Sequence, residues 1–291
     1  MVVGDFSLKG KIAVVTGGGS GINLEFVRLA LQSDCRVLVA DLRLTRDAEK
    51  LVSNSGGKAA FTPCDVSKWS DLESLPARVS KVFGNDAIAD VWVAGAGVFE
   101  PPWSAFLEDT ETENYKQLRI NVDHPIKLTR IAMKTSIAAN KPAVVLIVAS
   151  MAGILGVYAS PIYCASKHAV VGFTKSMSQA DIDENIKIVA ICPGLVTTPL
   201  WTREEAKPQW EQFSFVADDC LTPQEVAVAM VSLVEDSKYK GGTLLSIAKG
   251  LPVAELEHME ATAQGPWSVK TWMDTCYQPI RAVWNNLRPK A

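Results

Sequence analysis

The feature that most constrains this chain is a set of short apolar runs without polar alternation. "KIAVVTG", "RVLVAD", "AAFTPCDV", "IADVWVAGAG", "AVVLIVAS", "IKIVAICPG" and "GTLLSIAKG" are all of strand length. A strand with one wet face alternates apolar and polar residues, because successive side chains point to opposite faces. A strand buried on both faces shows no alternation, and this is the pattern of parallel strands covered on each side by helices. Longer stretches with helical spacing, such as "INLEFVRLALQS" and "WSDLESLPARVSKVFG", lie between the runs. Strand and helix in turn predict an α/β chain, a doubly wound Rossmann-type fold with a seven-stranded parallel sheet flanked by helices.

Composition excludes several classes. Hydrophobic residues make up 48% of the 291 positions and charged residues 21%, a globular balance. A net charge of -3 and a pI near 5.7 lack the basic footprint of a nucleic-acid binder. Neither the six cysteines nor the three histidines show metal-ligand spacing, so no metal site is expected. Packed free thiols and a reducing, cytoplasmic setting follow. Asp5, Lys9 and Lys11 interrupt any apolar signal region at the N-terminus. The uncharged stretch from Ala143 to Ala159 falls short of the about 20 residues of a membrane span. Its β-branched first half and its Gly153 and Gly156 read instead as a buried strand and a loop, and no membrane partner is expected.

"TGGGSGIN", Thr16 to Asn23, stands between the first strand and the first helix. Glycines allow a tight turn and close approach of backbone N–H groups, and a helix N-terminus adds partial positive charge. Together they favour a pyrophosphate. Asp41 ends the second strand twenty residues after Gly21. A carboxylate there accepts hydrogen bonds from both ribose hydroxyls of an adenosine and repels a 2'-phosphate, which favours NAD over NADP. Arg43 nearby would soften that preference.

Tyr163 and Lys167, in "YCASK", are i and i+4 and share one helical face. A free phenol has a pKa of about 10 and is a poor base at neutral pH. A neighbouring ammonium favours the phenolate, which makes tyrosine usable as a general acid/base. Ser150 ends the fifth strand, thirteen residues before Tyr163, where reactive groups of open parallel sheets gather. No G-x-S-x-G elbow surrounds it, so a hydrogen-bond donor is expected rather than a nucleophile.

These motifs, in this order over roughly residues 7 to 250, resemble the short-chain dehydrogenase/reductase family, and within it an NAD-dependent branch. "TGGGSGIN" is similar to its T-G-x-x-x-G-x-G turn, and "YCASK" to its Y-x-x-x-K. Asn121 in "RINVDHP" resembles the family's helix asparagine, "CDV" (Cys64 to Val66) the adenine-side segment, and "PGLVTTPL" the loop facing the carboxamide. The resemblance implies that Tyr163 exchanges a proton with the substrate oxygen and Ser150 orients that oxygen. Lys167 would steady the ribose and lower the tyrosine pKa, and Asn121 would hold a relay water through a local helix irregularity. It implies cofactor contacts from Gly17, Gly19, Ser20, Gly21, Ile22, Asp41, Asp65, Val66, Gly95, Ala96, Tyr163, Lys167, Val196 and Thr198.

Two departures stand out. Asn23 replaces the third glycine of the turn, so its side chain either displaces the first helix or reaches the cofactor. "AGAG", Ala94 to Gly97, stands where the family has N-N-A-G, which removes amides that brace the sheet. The expected activity is hydride transfer between NAD and a secondary alcohol or ketone of a hydrophobic small molecule. A cofactor-binding regulator, or non-redox cyclisation or isomerisation on the same scaffold, are the alternatives. Residues 1–250 would form one catalytic and dinucleotide-binding domain with a substrate lid at 197–219, containing Leu200, Trp201, Trp210 and Phe213. Residues 251–291 would pack on that domain or at an oligomer interface. Apolar helix faces and the resemblance point to a homodimer or homotetramer.

Overall fold

The computed structural model describes residues 2–99, 106, 109–202, 216–256 and 280–289. The seven expected strands form β1 (Ile12–Thr16), β2 (Arg36–Asp41), β3 (Ala59–Pro63), β4 (Val91–Ala94), β5 (Ala143–Val148), β6 (Ile186–Pro193) and β7 (Leu244–Ile247), all parallel. An eighth, β8 (Ala254–Glu255), extends the sheet and corrects the seven-stranded expectation. It pairs antiparallel with β7, where the chain turns back onto backbone groups that the sheet edge leaves unpaired. Two residues are too short a run to show any periodicity.

The sheet order is β3-β2-β1-β4-β5-β6-β7-β8. The chain therefore reverses direction between β1 and β4, and the crevice beyond their carboxyl ends is the expected ligand position. Alternate residues of each strand serve two separate cores. Val14, Leu38, Trp92, Val145 and Ile188 face one, whereas Val15, Val39, Val93, Leu146 and Val189 face the other. The helices Trp69–Phe83, His124–Ala138 and Pro161–Ser176 cover the first face through Leu72, Leu128 and Val170. Helix α1 (Gly21–Gln32) and the helix Pro223–Glu235 cover the second through Phe26, Val27, Val226 and Met230. Two apolar coverings are why the strands lack polar alternation. Leu146, fully buried in a central strand, tests this layering. Leu146→Ala is expected to lower unfolding stability by about 2–5 kcal/mol, read by chemical denaturation.

The described part of the C-terminal extension lies against the domain. Arg281 makes a two-pronged ion pair with Asp183 at 2.8 and 2.9 Å, and Arg288 pairs with Glu184 at 2.6 Å. Trp284 and Leu287 pack against the first core. No helix among the described residues is long and apolar enough to cross a membrane.

Candidate active site

The turn after β1 is built by backbone conformation. Gly17 and Gly21 adopt φ of +69° and +57°, the left-handed region where only glycine is unstrained. Gly17 is also sterically required, because a Cβ on it would lie 2.7 Å from Ala96 Cα. Ser20 is the N-cap of α1 and makes no side-chain capping hydrogen bond. The first-turn N–H groups therefore lack that partner and suit an anion. Gly19 does not line the cavity. Its N–H donates to Asp41 Oδ2 at 2.9 Å, and a Cβ there would meet Arg43 O at 2.5 Å. Its place is behind the wall, holding Asp41. The other carboxylate oxygen accepts from Leu42 N at 2.7 Å. Each oxygen has a second lone pair, so Asp41 remains able to accept from a ligand.

A cavity of about 510 Å³ opens beyond the carboxyl ends of β1, β4 and β5, within the range of sites for cofactors and drug-sized ligands. Gly17, Ser20, Gly21 and Ile22 form its turn side, and Asp41 stands at one end. Asp65, Val66, Gly95 and Ala96 continue the wall. Ser150, Tyr163, Lys167, Val196 and Thr198 complete it. An anion-ready turn, a ribose-height carboxylate and this volume fit a dinucleotide.

Ser150 and Tyr163 face the same cavity. Ser150 caps a short 3-10 turn, its Oγ accepting from Ala152 N at 3.1 Å. Lys167 Nζ donates to Val148 O at 2.9 Å and lies 5.5 Å from the Tyr163 ring centroid. Burial pushes the Tyr163 phenol up to about 12, against the opposing Ser150 hydrogen bond, and pushes Lys167 down to about 8. Desolvation disfavours both charged forms and sets the net direction of each shift in the protein alone.

Asn121 is not on the cavity wall. It lies in a π-helical turn, Arg119–Asp123, which is the expected helix irregularity. Its amide grips Val98 in both directions, Nδ2 to Val98 O at 2.9 Å and Val98 N to Oδ1 at 3.0 Å, and reaches Ser166 Oγ at 3.2 Å. The sheet bracing expected to be lost at "AGAG" comes from elsewhere. Gly95 N donates to Thr16 Oγ1 at 3.1 Å, and Thr16 Oγ1 lies 2.9 Å from His124 Nε2. Burial pushes His124 down to about 4. With a neutral ring whose Nδ1–H donates to Ile120 O at 3.1 Å, Nε2 is the acceptor facing Thr16.

Phe99 was not foreseen. Its ring meets Tyr163 edge-on at 4.8 Å and Trp201 at 4.5 Å, forming an aromatic wall over the phenol. The only signal was an aromatic residue two positions past Gly97. Of the expected lid, Leu200 and Trp201 line the cavity, whereas Trp210 and Phe213 lie outside the described residues. Five cysteines are free and buried, and among the described residues no cluster of histidine, cysteine and carboxylate groups could hold a metal.

A family model for short chain dehydrogenase matches residues 11–209. A 2,5-dichloro-2,5-cyclohexadiene-1,4-diol dehydrogenase from Sphingobium indicum is 34% identical over 200 residues, 67% of this chain and 76% of that protein. Human (Homo sapiens) 15-hydroxyprostaglandin dehydrogenase (NAD(+)) is 27% identical over 282 residues, 91% of this chain and 99% of that protein. A solved structure from Beutenbergia cavernae, a proposed NAD(P) dependent gluconate 5-dehydrogenase with NADP bound at low occupancy, superposes with a TM-score of 0.70. It is 25% identical and covers 85% of this chain and 98% of its own.

Proposed function

This chain belongs to the short-chain dehydrogenase family, and from that premise we propose that it interconverts a secondary alcohol and its ketone, on a hydrophobic small molecule, with NAD. One observation carries the reading. Ser150, Tyr163 and Lys167 share a cavity with the glycine turn and Asp41. The dinucleotide, when bound, supplies the hydride acceptor or donor. The turn and the α1 N-terminus hold its phosphates, and Asp41 accepts from the adenosine ribose hydroxyls.

The chain's own work is proton transfer and orientation. Tyr163 Oη takes the alcohol proton in oxidation and returns it in reduction. Ser150 Oγ donates to the substrate oxygen and sets its distance from Tyr163. Lys167 places a cation beside the phenol, and Asn121 fixes the π-turn next to it. Apolar Phe99, Trp201, Leu155 and Val157 favour a hydrophobic or ring-containing substrate.

A fluorescence assay of NADH across a panel of alcohols and ketones tests the proposal. Turnover with secondary alcohols is expected. Tight NADH binding with no turnover on any member would sink it in favour of a cofactor-binding regulator. Burial holds the phenol protonated through neutral pH, while oxidation needs the base form and reduction the acid form. The oxidative kcat/KM is therefore expected to rise from about pH 7 to about pH 8, where Lys167 still carries its proton, while the reductive value does not. Parallel profiles in both directions would remove Tyr163 from that role.

A further inference from the structure

The two departures from the family pattern meet in space. Asn23, on the first turn of α1, donates from Nδ2 to Gly95 O at 2.9 Å. A Cβ on Gly95 would lie 2.2 Å from Asn23 Oδ1 and within 2.5 Å of all three terminal amide atoms. Gly95 is not among the glycines with positive φ, so no backbone strain requires glycine there. The Asn23 amide fills the space a side chain at Gly95 would take, so a Cβ there would force that amide to move. The family pattern has the opposite arrangement, with glycine at the position of Asn23 and asparagine at that of Gly95.

We propose that Asn23 and Gly95 are one exchanged unit: the amide has moved from the end of β4 to α1, and Asn23 positions the two walls of the dinucleotide cavity. Both residues line that cavity, and Asn23 is only 8% exposed. One position away from Gly95, Gly17 meets the Ala96 backbone, so turn and β4 exit touch at two adjacent points. The amide sets the second spacing by a hydrogen bond and by bulk. Its Oδ1 is buried and has no hydrogen-bond partner. The amide's contribution is therefore steric spacing plus one bond.

The positioning role rests on the dinucleotide reading, and the experiment separates the two. Asn23→Gly, Gly95→Asn and the double variant are compared by thermal melting without nucleotide, and by calorimetric titration with NAD well below every melting point. Gly95→Ala, alone and with Asn23→Gly, serves as a milder pair should Gly95→Asn fail to fold. Each single change is expected to lower the melting temperature by at least about 3 °C and to weaken NAD binding by about tenfold. The double is expected to return to within about twofold of the parent in affinity. Additive losses in the double variants would overturn the exchanged unit. Coupled melting with neither NAD nor NADP bound by any protein, the parent included, would overturn both the dinucleotide reading and the positioning role.

Discussion

Replacing Tyr163 with phenylalanine is expected to lower turnover by about 10²- to 10⁴-fold, the usual contribution of a positioned general acid/base. The variant keeps the ring, so the edge-on contact with Phe99 at 4.8 Å and the aromatic wall over the site are retained. It loses only the hydroxyl. NAD affinity is accordingly expected to change by no more than about threefold, well under one typical hydrogen bond to a charged group. Steady-state kinetics with a calorimetric titration check both halves. A variant as fast as the parent would remove the phenol from proton transfer. A variant that had lost both NAD binding and turnover would show that the tyrosine builds the site rather than acting in it.

The second large effect concerns cofactor choice. Asp41→Ala is expected to shift the ratio of kcat/KM values for NAD and NADP by about 10²-fold toward NADP. Hydrogen bonds to charged groups contribute roughly 1.5–3 kcal/mol, and every 1.4 kcal/mol is tenfold. The carboxylate is pre-set for this discrimination, because Gly19 N and Leu42 N hold one oxygen each. Loss of the side chain removes both a ribose acceptor and the charge that repels a 2'-phosphate. An unchanged ratio would place the discrimination elsewhere, with Arg43 the next residue to alter.

Much of the fold was legible because its signals are local. A strand buried on both faces must be apolar throughout, and seven runs had that pattern. The two-residue β8 had none, since it forms only where β7 offers an open edge. The site was legible to the extent that it depends on spacing along one element. Tyr163 and Lys167 share a helix, and Asp41 and Ser150 end strands that point into one crevice. Gly19 turns its N–H to Asp41, which sequence cannot show because it gives a glycine but not which way its N–H faces. Asn121 was correctly placed in an irregular helix, yet its amide grips Val98 rather than the cavity.

The sequence by itself determined the layering and which element ends carry the candidate reactive groups, because periodicity and side-chain type are properties of the chain alone. Tertiary structure decided three things. Burial pushed the Tyr163 phenol upward, Phe99 and Trp201 closed over that ring, and Asn23 came to fill the space above Gly95. Each depends on desolvation or contact between residues far apart in sequence, such as Asn23 and Gly95 at a separation of 72 positions. No local pattern encodes such a meeting, since it exists only after the sheet has brought the ends of β1 and β4 together.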